Sequence, residues 1–179
     1  MTFHKIQALG NDFIVFGSPS QKTMPKVELI QKLCDRHYGI GADSLIFISE
    51  SNIGDYFMHI YNPDGFEAEI CGNALRCSAK YVLSCGYFNK KSLIAETKSG
   101  TRKISVENDY FKTEIGKPKI IDAGELFVSG VSLPYTSVSL GNPHCVIFLT
   151  YGLDNEIFAH YGKEIESHRL FPNKTNVEF

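Results

Sequence analysis

The fold is decided by one helical stretch in the middle of the chain. Residues 69–86 have the sequence Glu69-Ile70-Cys71-Gly72-Asn73-Ala74-Leu75-Arg76-Cys77-Ser78-Ala79-Lys80-Tyr81-Val82-Leu83-Ser84-Cys85-Gly86. The spacing of small and apolar residues predicts a helix over residues 72–85, and Gly86 is placed to end it. Both faces of this helix are small or apolar, so we expect other elements to wrap around it.

Short strands flank this helix in the sequence. Apolar segments bounded by turn residues predict strands at residues 3–8, 13–16, 45–48, 56–61, 92–97, 102–107 and 110–115. The last three are joined by short turns, which is typical of an antiparallel meander, and few βαβ repeats are visible. An amphipathic helix is predicted to start at Pro25, with a core-facing stripe formed by Val27, Ile30, Leu33, Cys34 and His37.

A change of composition predicts a domain junction at residues 116–124, which are rich in Lys, Pro and Asp. Beyond it we expect strands near Phe127 and at residues 136–140, 145–149 and 175–179, and a helix over residues 154–166 with apolar positions Ile157, Phe158, Tyr161 and Ile165. The predicted class is α+β, a mostly antiparallel sheet around a buried helix, with one domain over residues 1–116 and a second over 117–179. The sequence stops within a strand-like segment at Phe179, so we expect the second domain to be incomplete.

Charge and hydropathy exclude several classes of partner. Eighteen Lys and Arg against twenty Asp and Glu give a net charge of −2, which leaves no basic surplus for nucleic acid or an anionic membrane. The longest apolar runs, such as residues 145–149, are far shorter than the roughly 20 residues of a membrane helix. The first residues lack the apolar core of a signal peptide. We therefore expect a cytoplasmic protein with neither membrane nor nucleic acid as partner.

The cysteines indicate reduced thiols. They are odd in number and form no C-x-x-C pair: Cys34, Cys71, Cys77, Cys85 and Cys145. This pattern favours neither a disulfide framework nor a zinc site, so no metal is expected.

Cys71 is the cysteine with the clearest chemical position. It precedes the predicted helix, where free backbone N–H groups and the positive end of the helix dipole favour a thiolate or a bound carboxylate. The alternative is that it is a small buried hydrophobic residue, as free cysteines most often are.

Three asparagines stand in turns beside apolar strands: Asn11 after Gly10, Asn62 before Pro63, and Asn142 between Gly141 and Pro143. A structural role in the turn is a sufficient explanation for each asparagine taken alone, because Asn adopts left-handed conformations and hydrogen-bonds its own backbone. His144, which follows the third turn, is either a general base or a histidine bonded to a backbone group.

Six motifs, taken in order, resemble the N-terminal two-thirds of diaminopimelate epimerases, amino-acid epimerases that do not use pyridoxal phosphate. They are Leu9-Gly10-Asn11-Asp12-Phe13, Asp35-Arg36-His37-Tyr38-Gly39-Ile40-Gly41-Ala42-Asp43, Tyr61-Asn62-Pro63-Asp64-Gly65, Cys71-Gly72-Asn73-Ala74-Leu75-Arg76-Cys77, Gly141-Asn142-Pro143-His144-Cys145-Val146 and Phe171-Pro172-Asn173-Lys174-Thr175-Asn176-Val177-Glu178-Phe179.

The resemblance implies two pseudo-symmetric domains, each an antiparallel sheet around a central helix, with the site in the cleft between them. It implies that Cys71 is one of two catalytic cysteines and that His144 supports catalysis. The substrate-binding positions that it implies are Asn11, Ser44, Asn62, Gly72, Asn73, Asn142 and Asn176. It further implies no cofactor, a homodimer, and conversion of L,L- to meso-diaminopimelate in the synthesis of lysine and peptidoglycan precursors.

The chemistry explains why such a family needs these residue types. Removing an α-proton without a Schiff base creates an enolate-like charge that preorganised donors in a dry site stabilise. Thiols, with an unperturbed pKa of about 8.5, serve as base or acid near neutral pH. Asparagines that hold the distal amino and carboxyl groups would select a substrate with a second amino-acid centre.

The sequence also departs from the family pattern. Ser44 stands where a longer residue such as glutamine commonly contacts substrate, and Ala74 replaces a frequent glycine. The family's Glu-Arg pair and second Cys-Gly-Thr/Ser motif are not among these 179 residues, so we expect this form to be inactive in inversion on its own.

Two alternatives remain at this level. One is a non-catalytic remnant of the epimerase fold that binds a small amino acid or associates with itself. The other is a cofactor-free isomerase or racemase of the same fold with a different substrate.

Overall fold

The fold consists of two compact units, residues 1–115 and 116–179. The computed structural model describes residues 2–108, 110–150, 152 and 155–179. Asp109 and Asp154, which the sequence assigned to a turn and to a helix start, lie outside the described residues, as do the side chain and burial of Ile157.

The first unit has eight strands and two helices among its described residues. They are β1 (His4–Ala8), β2 (Asn11–Gly17), α1 (Val27–Cys34), β3 (Ser44–Ser49), β4 (Tyr56–Tyr61), β5 (Glu67–Ala68), α2 (Gly72–Ser84), β6 (Ser92–Thr97), β7 (Gly100–Glu107) and β8 (Tyr110–Thr113). The strands form one sheet in the order β1-β2-β3-β4-β6-β7-β8, and β5 pairs with β4.

The sheet curls around α2, as the sequence predicted. This helix contacts strands from both ends of the sheet, β1 and β8, as well as β2, β3, β4 and β7. Its buried residues cover a broad face of the helix: Ala74, Leu75, Cys77, Ser78, Ala79, Tyr81 and Val82. Gly86 ends it with a φ of 72°. Most of the hydrophobic core of this unit is therefore organised around α2.

The outer face of the sheet carries a smaller core beneath α1. Ile30 and Cys34 pack there with Ile14, Leu45 and other strand residues. The predicted stripe was wrong at Val27, which is 48% exposed, and at His37, which is exposed beyond the end of α1. The helix stops because the carboxylate of Asp35 accepts hydrogen bonds from the backbone N–H groups of His37 and Tyr38, both at 2.7 Å, and so replaces the next helical turn.

Parallel strand pairs recur in the fold, although the sequence showed few βαβ repeats. The pairs β2–β3 and β4–β6 are parallel, and each is connected through a helix, α1 or α2. A parallel pair requires such a crossover. The sequence pattern does not reveal these crossovers, because α1 is only eight residues long and because the short strand β5 lies between β4 and α2.

In its described residues the second unit is a four-stranded sheet with one helix. Its elements are β9 (Lys119–Val128), β10 (Val131–Ser139), β11 (Pro143–Val146), α3 (Asn155–Glu166) and β12 (Asn176–Glu178), with strand order β12-β11-β10-β9. Leu126, Tyr135, Cys145, Ile165 and Phe171 contribute to its core. The segment predicted as a junction is a strand from Lys119 onward, because pairing with β10 extends β9 through residues of low intrinsic preference.

Candidate active site

Cys71 is the N-cap residue of the buried helix α2. Its backbone is extended, with φ −147° and ψ 122°, and its carbonyl accepts the first intrahelical hydrogen bond, from Leu75 N–H at 3.0 Å. Its side chain makes no capping hydrogen bond and is only partly buried. The thiol therefore lies at the positive end of the helix dipole without being used to cap the helix.

Gly72 and Asn73 form the first turn of α2. The N–H groups of residues 72–74 have no intrahelical acceptor, because the first helical hydrogen bond is the one donated by Leu75. A Cβ placed on Gly72 would meet nothing closer than Cγ2 of Ile115 at 3.6 Å. The fold therefore does not require glycine here for packing, and a bare backbone beside the thiol suits the close approach of an anionic group.

The side-chain oxygen of Asn73 is held by Arg76 of the same helix. Its Oδ1 accepts a hydrogen bond from the guanidinium of Arg76, one turn further along α2. The amide Nδ2 of Asn73 makes no hydrogen bond with the described residues. This leaves the donor end of the side chain free at the start of the helix.

Asn11, Ser44 and Asn62 lie at one end of three neighbouring strands. Asn11 begins β2, and Ser44 begins the parallel strand β3, where it is paired with Phe13. Asn62 follows Tyr61, which ends the antiparallel strand β4 opposite Leu45. The sheet topology thus brings together three residues that are far apart in the sequence.

The turn explanation fails for the asparagines. Leu9 and Gly10 supply the left-handed residues of the first turn, with φ of 56° and 83°, while Gly65 and Gly141 do so in the other two. Asn11, Asn62 and Asn142 all have negative φ. Moreover, Oδ1 of Asn11 is buried without a hydrogen-bond partner among the described residues, which is costly unless a ligand or water supplies a donor.

Ser44 and Asn62 are less distinctive. The hydroxyl of Ser44 is buried and donates to its neighbour, the carbonyl of Asp43, at 2.7 Å. The backbone of Asn62 closes the turn by donating to the carbonyl of Phe66 and accepting from Gly65 N–H, both at 2.9 Å, while the residue is exposed. Each keeps polar capacity for a ligand.

An ion cluster that sequence reasoning did not single out fixes the start of β2. Arg36 makes a bidentate contact with Asp12, at 2.7 and 3.2 Å, and reaches Asp43 at 2.7 Å. Asp12 also pairs with Lys5 at 2.9 Å and accepts from Asp43 N–H at 2.8 Å. Arg36 above all, together with Lys5 and the Asp43 N–H group, holds the pKa of Asp12 well below its usual range despite the opposing effect of burial. These charged residues were visible in the sequence, because Asp12 lies in the first of the six motifs and Arg36 and Asp43 lie in the second. Which of them pair with one another depends on the fold.

The second unit brings Asn142, His144 and Asn176 together. His144 on β11 is opposite Asn176 on β12, and Asn176 Nδ2 donates to the carbonyl of Pro143 at 3.0 Å. The ring of His144 lies between Asn142 Oδ1, 3.0 Å from Nε2, and Glu178 Oε1, 2.7 Å from Nδ1. Sequence reasoning missed Glu178, although its position two residues after Asn176 places both side chains on one face of β12.

The other cysteines differ from Cys71. Cys34, Cys77 and Cys145 are buried, and burial raises the pKa of all three thiols, to about 11 for Cys77 and Cys145. Cys85 is partly buried, and its Sγ lies 3.8 Å from His4 Nε2 at the other end of α2. These positions fit packing roles, and all five cysteines are free thiols.

A second histidine is part of a structural network. His59 Nε2 lies 2.9 Å from the hydroxyl of Ser49, and Nδ1 lies 2.7 Å from Glu67. The order of contacts is that of a hydrolase triad, but Ser49 is only 6% exposed. Burial lowers the pKa of His59, against the effect of Glu67. The contacts join β3, β4 and β5 and leave the serine without access to a substrate.

Among the described residues, no three or more His, Cys, Asp or Glu side chains are grouped so as to hold a metal ion. No helix in the same part of the chain is long and apolar enough to cross a membrane.

The fold is shared with an epimerase and a PhzF-family protein of known structure. The chain is similar to a hydroxyproline epimerase from Agrobacterium vitis, with a TM-score of 0.67 at 11% identity, covering 96% of this chain and 58% of that one. It is also similar to a PhzF-family protein from Bacillus anthracis, with a TM-score of 0.63 at 18% identity, covering 96% and 62%. The chain thus spans about three-fifths of the length of these structures and shares their α+β fold.

Sequence relatives identify the family. Residues 3–121 match the family model described as "Diaminopimelate epimerase". Over the whole chain and 71% of each relative, the identity is 41% with the diaminopimelate epimerase of Carboxydothermus hydrogenoformans and 40% with that of Pelotomaculum thermopropionicum. The chain belongs to the diaminopimelate epimerase family, and its enzyme class is therefore that of an isomerase acting as an epimerase.

Proposed function

We propose that this chain acts on diaminopimelate and that Cys71 is the base that removes the α-proton. The thiolate would take the proton from one face of the α-carbon, leaving the electron pair as an enolate-like charge on the adjacent carboxylate. The observation that carries the proposal is the thiol at the N-terminus of the buried helix α2, uncapped and followed by free N–H groups.

Substrate binding is proposed for residues of both units. In the first unit these are Asn11, Ser44, Asn62, Gly72 and Asn73; the buried, unpaired Oδ1 of Asn11 supports this, because an ammonium group would supply its missing donor. In the second unit they are Asn142 and Asn176, with His144 in a supporting catalytic role. We propose one epimerase domain over residues 1–116 and part of another over 117–179.

Inversion of a stereocentre needs a second acid on the opposite face. In the part of the chain that the structure describes, no cysteine other than Cys71 combines partial burial with a helix N-terminus. We therefore propose that these residues perform proton exchange on one face, as one half of the conversion of L,L- to meso-diaminopimelate in lysine and peptidoglycan precursor synthesis. The proposed setting is the cytoplasm, which suits five free thiols, and the proposed assembly is a homodimer.

A comparison of three candidate substrates tests this function. The chain is incubated in D₂O with L,L-diaminopimelate, L-proline or trans-4-hydroxy-L-proline, and α-proton loss is followed by NMR. We expect exchange with diaminopimelate only, because the asparagines would hold a second amino-acid centre that proline lacks. Exchange with proline alone would assign the chain to a different substrate of the same fold.

A second candidate function is that of a self-associating binding protein. Unit 2 exposes large apolar side chains, including Ile120 at 75%, Phe127 at 67% and Phe148 at 83%. Apolar surface of this kind recruits another chain. Gel filtration over a hundredfold concentration range, combined with the exchange assay, separates the two functions: a dimer without exchange favours the second.

A further inference from the structure

We infer that Glu178 and His144 are positioning residues that fix the side-chain amide of Asn142 for binding a carboxylate. This inference deepens the proposed function and rests on it, since it assigns a role to each member of the polar set in unit 2. It begins from the hydrogen bonds around a single imidazole ring.

The ring of His144 is held at both nitrogens. A carboxylate only accepts hydrogen bonds, so the contact of 2.7 Å between Nδ1 and Glu178 requires a proton on Nδ1. The contact of 3.0 Å between Nε2 and Asn142 Oδ1 occupies the other ring nitrogen. Both ring nitrogens are therefore engaged by side chains of the second unit.

The contact with His144 determines which end of the Asn142 amide is available to a ligand. Its Oδ1 is occupied by His144, so the Nδ2 end of the amide is what it can offer to a ligand. This end carries two N–H donors and makes no hydrogen bond with the described residues. Two donors on one nitrogen match a carboxylate, whereas an ammonium group would need the occupied oxygen.

The strand β12 supplies the support. Asn176 holds the carbonyl of Pro143, immediately before His144, and Glu178 holds the ring itself. The second oxygen of Glu178, Oε2, is buried without a partner among the described residues, so the hydrogen bonding of this carboxylate within that part of the chain goes to His144. These contacts form a chain of hydrogen bonds from Glu178 through His144 to Asn142, which we call the relay.

The test compares Glu178→Ala with Glu178→Gln. Gln keeps an oxygen that accepts from Nδ1–H, whereas Ala does not. At pH 5.5 the Hδ1 resonance of His144 should be visible in the parent chain and in Glu178→Gln, and lost in Glu178→Ala through exchange with water. The side-chain NH₂ resonances of Asn142 should shift in the Ala variant alone.

Binding gives the second readout. In NMR titrations with L,L-diaminopimelate we expect Glu178→Ala to weaken binding about tenfold and Glu178→Gln less than threefold, because the relay needs an acceptor and not a charge. Glu166→Ala is the matched control in the same unit, since it removes an exposed ion pair with Lys174 and should leave both readouts unchanged. Thermal unfolding of each variant identifies any loss of folding.

The outcomes separate the two proposals. Retention of the Hδ1 signal in Glu178→Ala, or equal loss of binding in Glu178→Gln and Glu178→Ala, would overturn the relay. If the parent chain binds no diaminopimelate while the NMR signatures follow the pattern above, the proposed substrate is wrong and the relay stands.

Discussion

At the scale of single residues, the candidate site is held in place by residues that need not contact a substrate. Asn11 begins β2 next to Asp12, and the ion contacts of Asp12 with Arg36 and Lys5 fix that strand end. The asparagine side chain can then keep a buried oxygen unpaired. Such an atom is tolerated where the surrounding structure holds the residue in place.

Asp12→Asn tests this support through its dependence on pH. The pKa of Asp12 is lower in the folded chain than the unperturbed value of about 3.9, so the carboxylate stabilises the folded state above about pH 4. This contribution is lost as the pH falls further, toward the folded-state pKa. At pH 7 we expect the variant to lose about 1 kcal/mol, discounted for solvent screening, as measured by urea unfolding.

The control is the behaviour at low pH. The unfolding free energies of the parent and Asp12→Asn should converge as the pH is lowered from 5 to 2. A difference that stays constant over this range would show that Asp12 acts through packing and not through its charge.

Reactivity of the cysteines provides a second prediction at this scale. Cys71 is partly buried, whereas Cys34, Cys77 and Cys145 are buried. Under native conditions iodoacetamide should therefore modify Cys71 at least about tenfold faster than those three, because thiol reactivity requires access and thiolate character. Peptide mass spectrometry over time measures this, and faster modification of Cys77 than of Cys71 would contradict the placement of α2.

At the scale of elements, local spacing accounts for most boundaries. The strand β4 at Tyr56–Tyr61 and the strand β6 at Ser92–Thr97 have the predicted limits, and α2 differs by one residue. These segments have strong periodicity and clear turn signals. Lys119–Val128 has neither in its first half and is a strand because β10 pairs with it, which is a tertiary effect.

Glycine positions in the first unit show how closely the elements approach. Gly17 ends β2 with φ 101°, and an added Cβ would lie 2.2 Å from the carbonyl oxygen of Ile48. Gly17→Ala should cost more than about 2 kcal/mol, since backbone must move and the left-handed conformation is itself unfavourable. Thermal unfolding monitored by circular dichroism measures the loss.

Gly86 provides the matched substitution. It also has a positive φ, 72°, but an added Cβ would meet no atom within 4 Å. Gly86→Ala should therefore cost only about 1 kcal/mol, from conformation alone. Equal losses at Gly17 and Gly86 would contradict the close approach of β2 and β3.

At the scale of the whole molecule, each unit has its own hydrophobic core. Leu75 is fully buried in the core around α2, and Leu126 is 1% exposed in the core of unit 2. Truncating either to alanine should cost about 2–5 kcal/mol within its unit. Hydrogen exchange should accelerate mainly in residues 1–115 for Leu75→Ala and mainly in residues 116–179 for Leu126→Ala. Uniform acceleration along the chain would argue against separate cores.

The candidate site illustrates what a sequence can and cannot specify. The position of Cys71 at the start of α2 was predictable because its signal is local, a thiol directly before a helix. The common location of Asn11, Ser44 and Asn62 depends on the parallel pairing of β2 with β3, and the contact of Glu178 with His144 depends on the pairing of β11 with β12. Such relations arise from strand pairing between distant segments, which spacing within a motif does not encode.

The central claim is that the Cys71 thiol exchanges the α-proton of diaminopimelate, and isotope exchange tests it most directly. L,L-diaminopimelate is incubated in D₂O with the parent chain, with Cys71→Ser, and with Cys85→Ser as the control thiol at the other end of α2. The account predicts loss of the α-proton signal with the parent chain and with Cys85→Ser, and at least about a hundredfold slower loss with Cys71→Ser. Exchange that persists unchanged in Cys71→Ser, or no exchange with the parent chain, would contradict the account.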